Sequence, residues 1–152
     1  MKLFVGIDPG ATSGAWGIVD LHGKYWSCGD IPSQDGQVKA RMFAAELGQA
    51  IDRQDAVICI EDVHSMPGQG VASTFKFGRA VGAICAVADM KFGVWHIVSP
   101  QRWKRAMGVS QDKDSSLTLA RELWPNAPLT RKKDHGRAEA LLIAEYLRRT
   151  HG

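Results

Sequence analysis

An α/β fold, built on a mixed five-stranded sheet with helices on both faces, is what the pattern of this chain predicts, and three observations carry it. First, three short strand-like segments at 3–7, 15–19 and 25–31 follow one another through tight turns at Pro9-Gly10 and His22-Gly23, as in an antiparallel meander. Second, two further apolar runs at 56–60 and 94–98 alternate with segments of helical spacing, which is how βαβ crossovers and parallel pairing read. Third, two of these strands stop on an acid, Asp8 and Glu61, and the carboxyl ends of central strands are where such sheets form a crevice.

The elements follow in order. Leu3-Phe4-Val5-Gly6-Ile7 ends on Asp8, and after Ala11-Thr12-Ser13-Gly14 the chain extends again. Residues 32–37 are polar and read as a loop. From 38 to 51, Met42, Phe43, Leu47, Ala50 and Ile51 repeat at helical spacing. Residues 56–60 are continuously apolar, as in a strand covered on both faces, and end on Glu61-Asp62. A glycine-rich loop at 66–70 precedes a small-residue helix over 71–90, in which Gly78 and Gly82 lie four apart and permit a close neighbour. The strand at 94–98 is stopped by Ser99-Pro100. Helices follow over 101–107, 115–123 and 135–148, the last with Ala138, Leu141, Leu142, Ala144, Tyr146 and Leu147 near its buried side. Without repeat or linker, residues 1–152 read as one domain.

Composition narrows the function classes. With 45% hydrophobic and 23% charged residues the chain is of ordinary globular type. No unbroken apolar run approaches the roughly 18 residues of a membrane span, and no secretory leader pattern opens it, so no membrane association is expected. Cys28, Cys59 and Cys85 are odd in number and widely spaced, which suits a reducing cytoplasm rather than a disulfide framework or zinc site. The net charge of +3 is unevenly spread. Between 91 and 137, Arg102, Lys104, Arg105, Lys113, Arg131, Lys132, Lys133 and Arg137 outweigh a few acids and are interleaved with Trp95, Trp103 and Trp124. That is compatible with a polyanionic partner and equally with a solvated basic surface.

The acids carry the chemistry. If the first and fourth strands pair, Asp8 and Glu61 lie side by side, and two adjacent carboxylates are tolerated when a divalent cation lies between them. Oxygen-only donors point to Mg²⁺ or Mn²⁺. The start of the last helix offers Asp134, His135 and Glu139, with His135 and Glu139 four apart on one face. Each has a bland alternative. Asp8 can cap its Pro-Gly turn, Asp134 can be a helix N-cap, His135 a helix-start histidine and Glu139 an ordinary helix glutamate. Glu139, however, interrupts an apolar stretch, Ala138 to Leu142. Three converging acids suggest phosphodiester hydrolysis with two metal ions per site. Neither a Ser-His-Asp set nor a P-loop lysine motif offers a rival, and no nucleotide cofactor is expected.

Four motifs in order, Gly6-Ile7-Asp8-Pro9-Gly10, Ile60-Glu61, Phe77-Gly78-Arg79-Ala80-Val81-Gly82-Ala83 and Ala138-Glu139-Ala140-Leu141, resemble the RuvC-type Holliday junction resolvases of the RNase H-like superfamily, particularly a short phage or prophage branch. The resemblance spans almost the whole chain. It implies an RNase H-like fold and Mg²⁺-dependent nicking of four-way DNA junctions by a homodimer, in the cytoplasm of a bacterial or phage-infected cell. It also implies that Asp8, Glu61 and Glu139 are metal ligands, with a fourth at His135 or, in reserve, Asp134, because Gly136 occupies the position three before Glu139. His64, three after Glu61, falls where some members carry a wedging aromatic, and is otherwise a loop histidine. Pro100 to Lys104, with Lys113, resembles the family's phosphate-contacting lysines; Arg102 and Arg105 flank Lys104, and Lys76, just before the third motif, and Arg79, within it, are further DNA-contact candidates.

Three other readings compete. A nuclease of the same fold could act on forks or other branched DNA. A phosphotransferase of the actin or sugar-kinase type also opens on a turn like Asp8-Pro9-Gly10-Ala11-Thr12, but needs two such domains. A non-catalytic junction binder would have little use for all three acids.

Overall fold

The computed structural model describes every residue of 1–152 except Ala11. Strands β1 (Lys2–Asp8), β2 (Ala15–Asp20) and β3 (Tyr25–Asp30) form the meander. Then come a small hairpin, β4 (Ser33–Gln34) and β5 (Gln37–Val38), helix α1 (Ala40–Ile51), strand β6 (Asp55–Glu61) and helix α2 (Val71–Phe92). Strand β7 (His96–Val98) and helices α3 (Pro100–Met107), α4 (Lys113–Leu123) and α5 (His135–His151) complete the chain, α5 being entered through a 3₁₀ turn at Lys132–Asp134. The main sheet runs β3-β2-β1-β6-β7. β1 pairs antiparallel with β2 and parallel with β6, which pairs parallel with β7. The mixed five-stranded sheet is therefore as expected.

Side-chain parity divides the core. Leu3, Val5 and Ile7 of β1 join Ile58 and Ile60 of β6 under Phe43 and Leu47 of α1 and Ile84 and Val87 of α2. Phe4 and Cys59 point the other way, into a cluster with Trp103 of α3, Leu117 of α4 and Leu141, Leu142 and Leu147 of α5. Because successive residues of a strand alternate faces, the even positions of β1 and the odd positions of β6 belong to the α5 side. Asp8 and Glu61 follow that parity.

Helix α5 lies unusually close to the sheet, and two glycines explain it. Gly6 and Gly17 are cross-strand partners. A Cβ on Gly6 would sit 2.1 Å from the Ala140 carbonyl oxygen, and one on Gly17 would sit 2.7 Å from the Leu141 nitrogen. The absence of both side chains makes a saddle that admits the α5 backbone itself.

Some boundaries differ from the sequence reading. The expected loop at 32–37 contains the β4–β5 hairpin, closed by Asp35 and Gly36, both at positive φ (53° and 74°). Asp-Gly is favoured where a two-residue hairpin turn needs that conformation. β7 begins only at His96, because Gly93 takes φ 69° and Val94 stays exposed. α2 has the length and apolarity of a membrane span over its best 18 residues, with only 22% of that window buried. Its inner side, Ala80, Ile84, Val87 and Ala88, packs on the sheet.

Candidate metal centre

The parallel register that pairs Ile7 with Ile60 brings the next two residues, Asp8 and Glu61, to the same end of adjacent strands. Helix α5, seated on the glycine saddle, delivers Glu139 from above. One carboxylate oxygen of each residue lies within 4.8 Å of the others. Glu61 and Glu139 are buried, and Asp8 is partly open to solvent.

The helix start is fastened by two ion pairs. Arg137 donates from Nε and Nη2 to the two carboxylate oxygens of Asp30 at the end of β3, at 2.9 and 3.1 Å. Arg131 donates from Nη2 and Nε to Asp134 Oδ1 at 2.7 and 3.0 Å, and its amide donates to Oδ2 at 2.8 Å. Gly136 lets this first turn approach Asp8: a Cβ there would lie 3.6 Å from Asp8 Oδ2 and 3.1 Å from the Ser13 carbonyl.

Electrostatics set this cluster apart. Burial, then the charges of Glu61 and Glu139, push the Asp8 carboxyl well above the ordinary carboxylate range, while Lys104 and Lys113 pull it part of the way back. Burial also raises Glu61, opposed by the Trp103 hydrogen bond and reinforced by Glu139. Lys104 Nζ lies 3.8 Å from Glu139 Oε1, with both side chains largely buried. The donors are all oxygen, mutually repelling and short of positive charge, which fits a hard divalent cation.

The other candidates lie outside this trio. Asp134 is buried, but its carboxylate belongs to Arg131: burial pushes the acid up, the Arg131 hydrogen bonds outweigh that, and the net shift is downward. His135 is half-buried, with Nδ1 3.4 Å from the Lys132 carbonyl. His64 is exposed, and its Nε2 lies 3.5 Å from Asp62. Arg102 and Arg105 face solvent from α3, as does Lys113 at the start of α4. Lys76 and Arg79 are exposed on α2, Lys76 running along Gly36 and Arg79 over the Phe75 ring at 5.7 Å. Replacing Asp134 by Asn is expected to cost about 1.5 kcal/mol of stability, the scale of a charge-assisted hydrogen bond whose Arg131 partner stays exposed to water, while leaving Mn²⁺ affinity unchanged. Chemical denaturation and metal titration of the same sample check both halves.

Residues that the sequence reading did not single out hold the trio. Trp103 Nε1 donates to Glu61 Oε2 at 2.6 Å, and Ser116 Oγ lies 3.5 Å from Glu139 Oε1. Helix α3 sets up the first of these. Ser99 caps it by accepting from the Arg102 amide, Pro100 opens it and Gly108 closes it, so Trp103 turns inward while Arg102 and Arg105 face out. The Ser-Pro start was the available signal.

No protein-family model matches the chain. It is 52% identical, over 53% of its length, to the chloroplastic Holliday junction resolvase MOC1 of Chlamydomonas reinhardtii, but spans only 10% of that protein. The crossover junction endodeoxyribonuclease RuvC of Nitrobacter hamburgensis is 31% identical across 92% of this chain and 85% of its own. RuvC of Bradyrhizobium diazoefficiens is 30% identical across 81% and 74%. The solved structure of Thermus thermophilus RuvC in complex with a Holliday junction substrate shares the fold at a TM-score of 0.70, with 20% identity over 98% of this chain and 96% of that one. Two RuvC relatives aligned over most of their length, a shared fold and an acidic trio at the carboxyl ends of the central strands agree: the chain belongs to the RuvC family of crossover junction endodeoxyribonucleases.

Proposed function

We propose that this protein is a structure-selective endonuclease that cuts four-way DNA junctions by phosphodiester hydrolysis, with Mg²⁺ held by Asp8, Glu61 and Glu139. The observation that carries this reading is the convergence of three carboxylates within 4.8 Å in a protein of this family. Divalent ions held by these three carboxylates would supply an activated water and charge stabilisation for the leaving oxygen. The residues of the chain do the rest. Asp8, the most open of the three, faces the approaching backbone. Lys104 and Lys113, which already act on the Asp8 carboxyl, offer positive charge to the phosphates. Arg102, Arg105, Lys76, Arg79 and His64 are exposed and extend the contact; phosphate contacts of this kind position DNA without reading its sequence. Cytoplasm is the matching compartment.

Two opposed cuts need two active sites related by a two-fold axis, and α2 offers the seam. Its outward residues Val71, Phe75, Gly78, Gly82, Ala86 and Met90 form one apolar stripe. A Cβ on Gly78 or Gly82 would meet nothing within 4 Å, so these glycines do not serve packing on the protein's own sheet. Small residues between bulky ends let a second copy of the helix cross closely. Gly82→Arg is expected to weaken self-association about thirtyfold, the scale of a central interface residue, as read by sedimentation equilibrium.

The function itself is tested with purified protein on a synthetic four-way junction, a model fork and a matching linear duplex, with and without Mg²⁺. Paired nicks in the junction alone, dependent on Mg²⁺, are expected. Preferential cutting of the fork would shift the substrate to other branched DNA.

A further inference from the structure

Two buried acids near the start of α5 and the end of β6 are treated in opposite ways. Asp134 receives a cation, the Arg131 guanidinium, and its charge is satisfied within the protein. Among the described residues, the hydrogen-bond donor to Glu61 is neutral: the indole N–H of Trp103, 2.6 Å from Oε2, with the Lys104 charge acting from further away. An indole donates one hydrogen bond, carries no charge and accepts none. Trp103 is wholly shielded from solvent, wedged among the residues under α5, so its N–H cannot swing away. Lys104, the next residue, sits over the indole at 5.5 Å from the ring centre and reaches Glu139.

From this arrangement we infer that Trp103 is a positioning residue for metal binding. It pins Oε2 of Glu61 and so fixes the plane in which the carboxylate is offered to a cation. The inference rests on the metal-site reading above. A guanidinium in the same place would orient Glu61 equally well, but would neutralise it and compete with the metal, as Arg131 does at Asp134. The neutral donor aims the ligand and keeps its charge. Partners of this kind, behind the ligand, are worth about 10- to 100-fold in metal affinity.

The test counts Mn²⁺ bound to the full chain without DNA, from the loss of the free-ion electron paramagnetic resonance signal. Trp103→Phe keeps an aromatic ring and removes the donor. Trp103→3-benzothienylalanine keeps the whole ring shape with sulfur in place of N–H, and covers the case in which Phe packs badly. Both are expected to weaken Mn²⁺ binding about tenfold. Glu61→Gln is expected to weaken it as well, and adding Trp103→Phe to Glu61→Gln should then cost nothing more. If both Trp103 variants bind Mn²⁺ like the unaltered protein while Glu61→Gln does not, the positioning role is wrong and the metal site stands. An equal loss from Trp103→Phe in the Glu61→Gln background also overturns the role, because the effect then acts through packing rather than through Glu61. If Glu61→Gln itself binds like the unaltered protein, the metal-site reading falls and takes this inference with it.

Discussion

Asp8→Asn is expected to cut junction cleavage in Mg²⁺ by about a hundred- to a thousandfold, the loss seen when one preorganised charge-stabilising group is removed from an active site. Junction binding should persist, since Lys104, Lys113 and the exposed arginines are untouched. The same change should make the metal-free protein more stable at neutral pH, and this opposite sign is the diagnostic part. A carboxyl raised in the folded state favours folding below its ordinary value, here 3.8, and that advantage is lost as pH rises through the raised value. Above this range the unaltered protein holds an unwelcome charge beside Glu61 and Glu139, and Asn removes it. Calorimetry in EDTA should therefore show the melting temperature of Asp8→Asn overtaking that of the unaltered protein as pH rises from about 4 to neutrality. Divalent ions should then raise the unaltered protein and leave the variant in place. A variant that melts lower than the parent at every pH, or that cuts as fast as the parent, would contradict the assignment.

Gly6→Ala carries the largest expected loss of stability. The added Cβ would lie 2.1 Å from the Ala140 carbonyl oxygen and 2.5 Å from the Ala144 nitrogen, both backbone atoms of α5. Backbone cannot rotate aside as the tip of a side chain can, so the helix must lift or the strand must bend. A cost of about 3 kcal/mol is expected, at the upper end of overpacking effects. Lifting α5 also carries Glu139 away from Asp8 and Glu61, so Mn²⁺ affinity should fall with stability. Gly48→Ala is the control. In the middle of α1 its Cβ would meet only the end of the Lys91 side chain, at 3.1 Å, and loss of a helical glycine should add about 0.5–1 kcal/mol. Denaturant melts of the two variants separate the saddle from a general intolerance of alanine.

The sheet was legible because its signals are local. Pro9-Gly10 and His22-Gly23 punctuate the meander, and an acid closes each of the two strands that matter. Once the first and fourth strands pair in parallel, strand parity carries Asp8 and Glu61 to one face. The saddle at Gly6 and Gly17 was not legible, since a glycine in a strand has the same letter whether it meets solvent or the backbone of a helix far along the chain. Asp134 shows a different limit. Its spacing suits an N-cap as well as a ligand, yet its carboxylate reaches backwards to the Arg131 amide and guanidinium and serves neither role in the expected form. Gly78 and Gly82 were read as permitting close approach to a neighbour; their side of α2 faces away from the protein's own sheet, which the spacing alone did not reveal. Trp103 was read with the basic stretch as a surface for a polyanion, and only the short capped helix α3 turns it inward onto Glu61.

Anomalous diffraction from crystals soaked in Mn²⁺ tests the metal centre most directly. The account predicts a manganese peak bound by oxygens of Asp8, Glu61 and Glu139, with Asp134 still paired to Arg131. A peak coordinated instead by Asp134 or His135 without that trio, or no peak between the three carboxylates at saturating Mn²⁺, would contradict it.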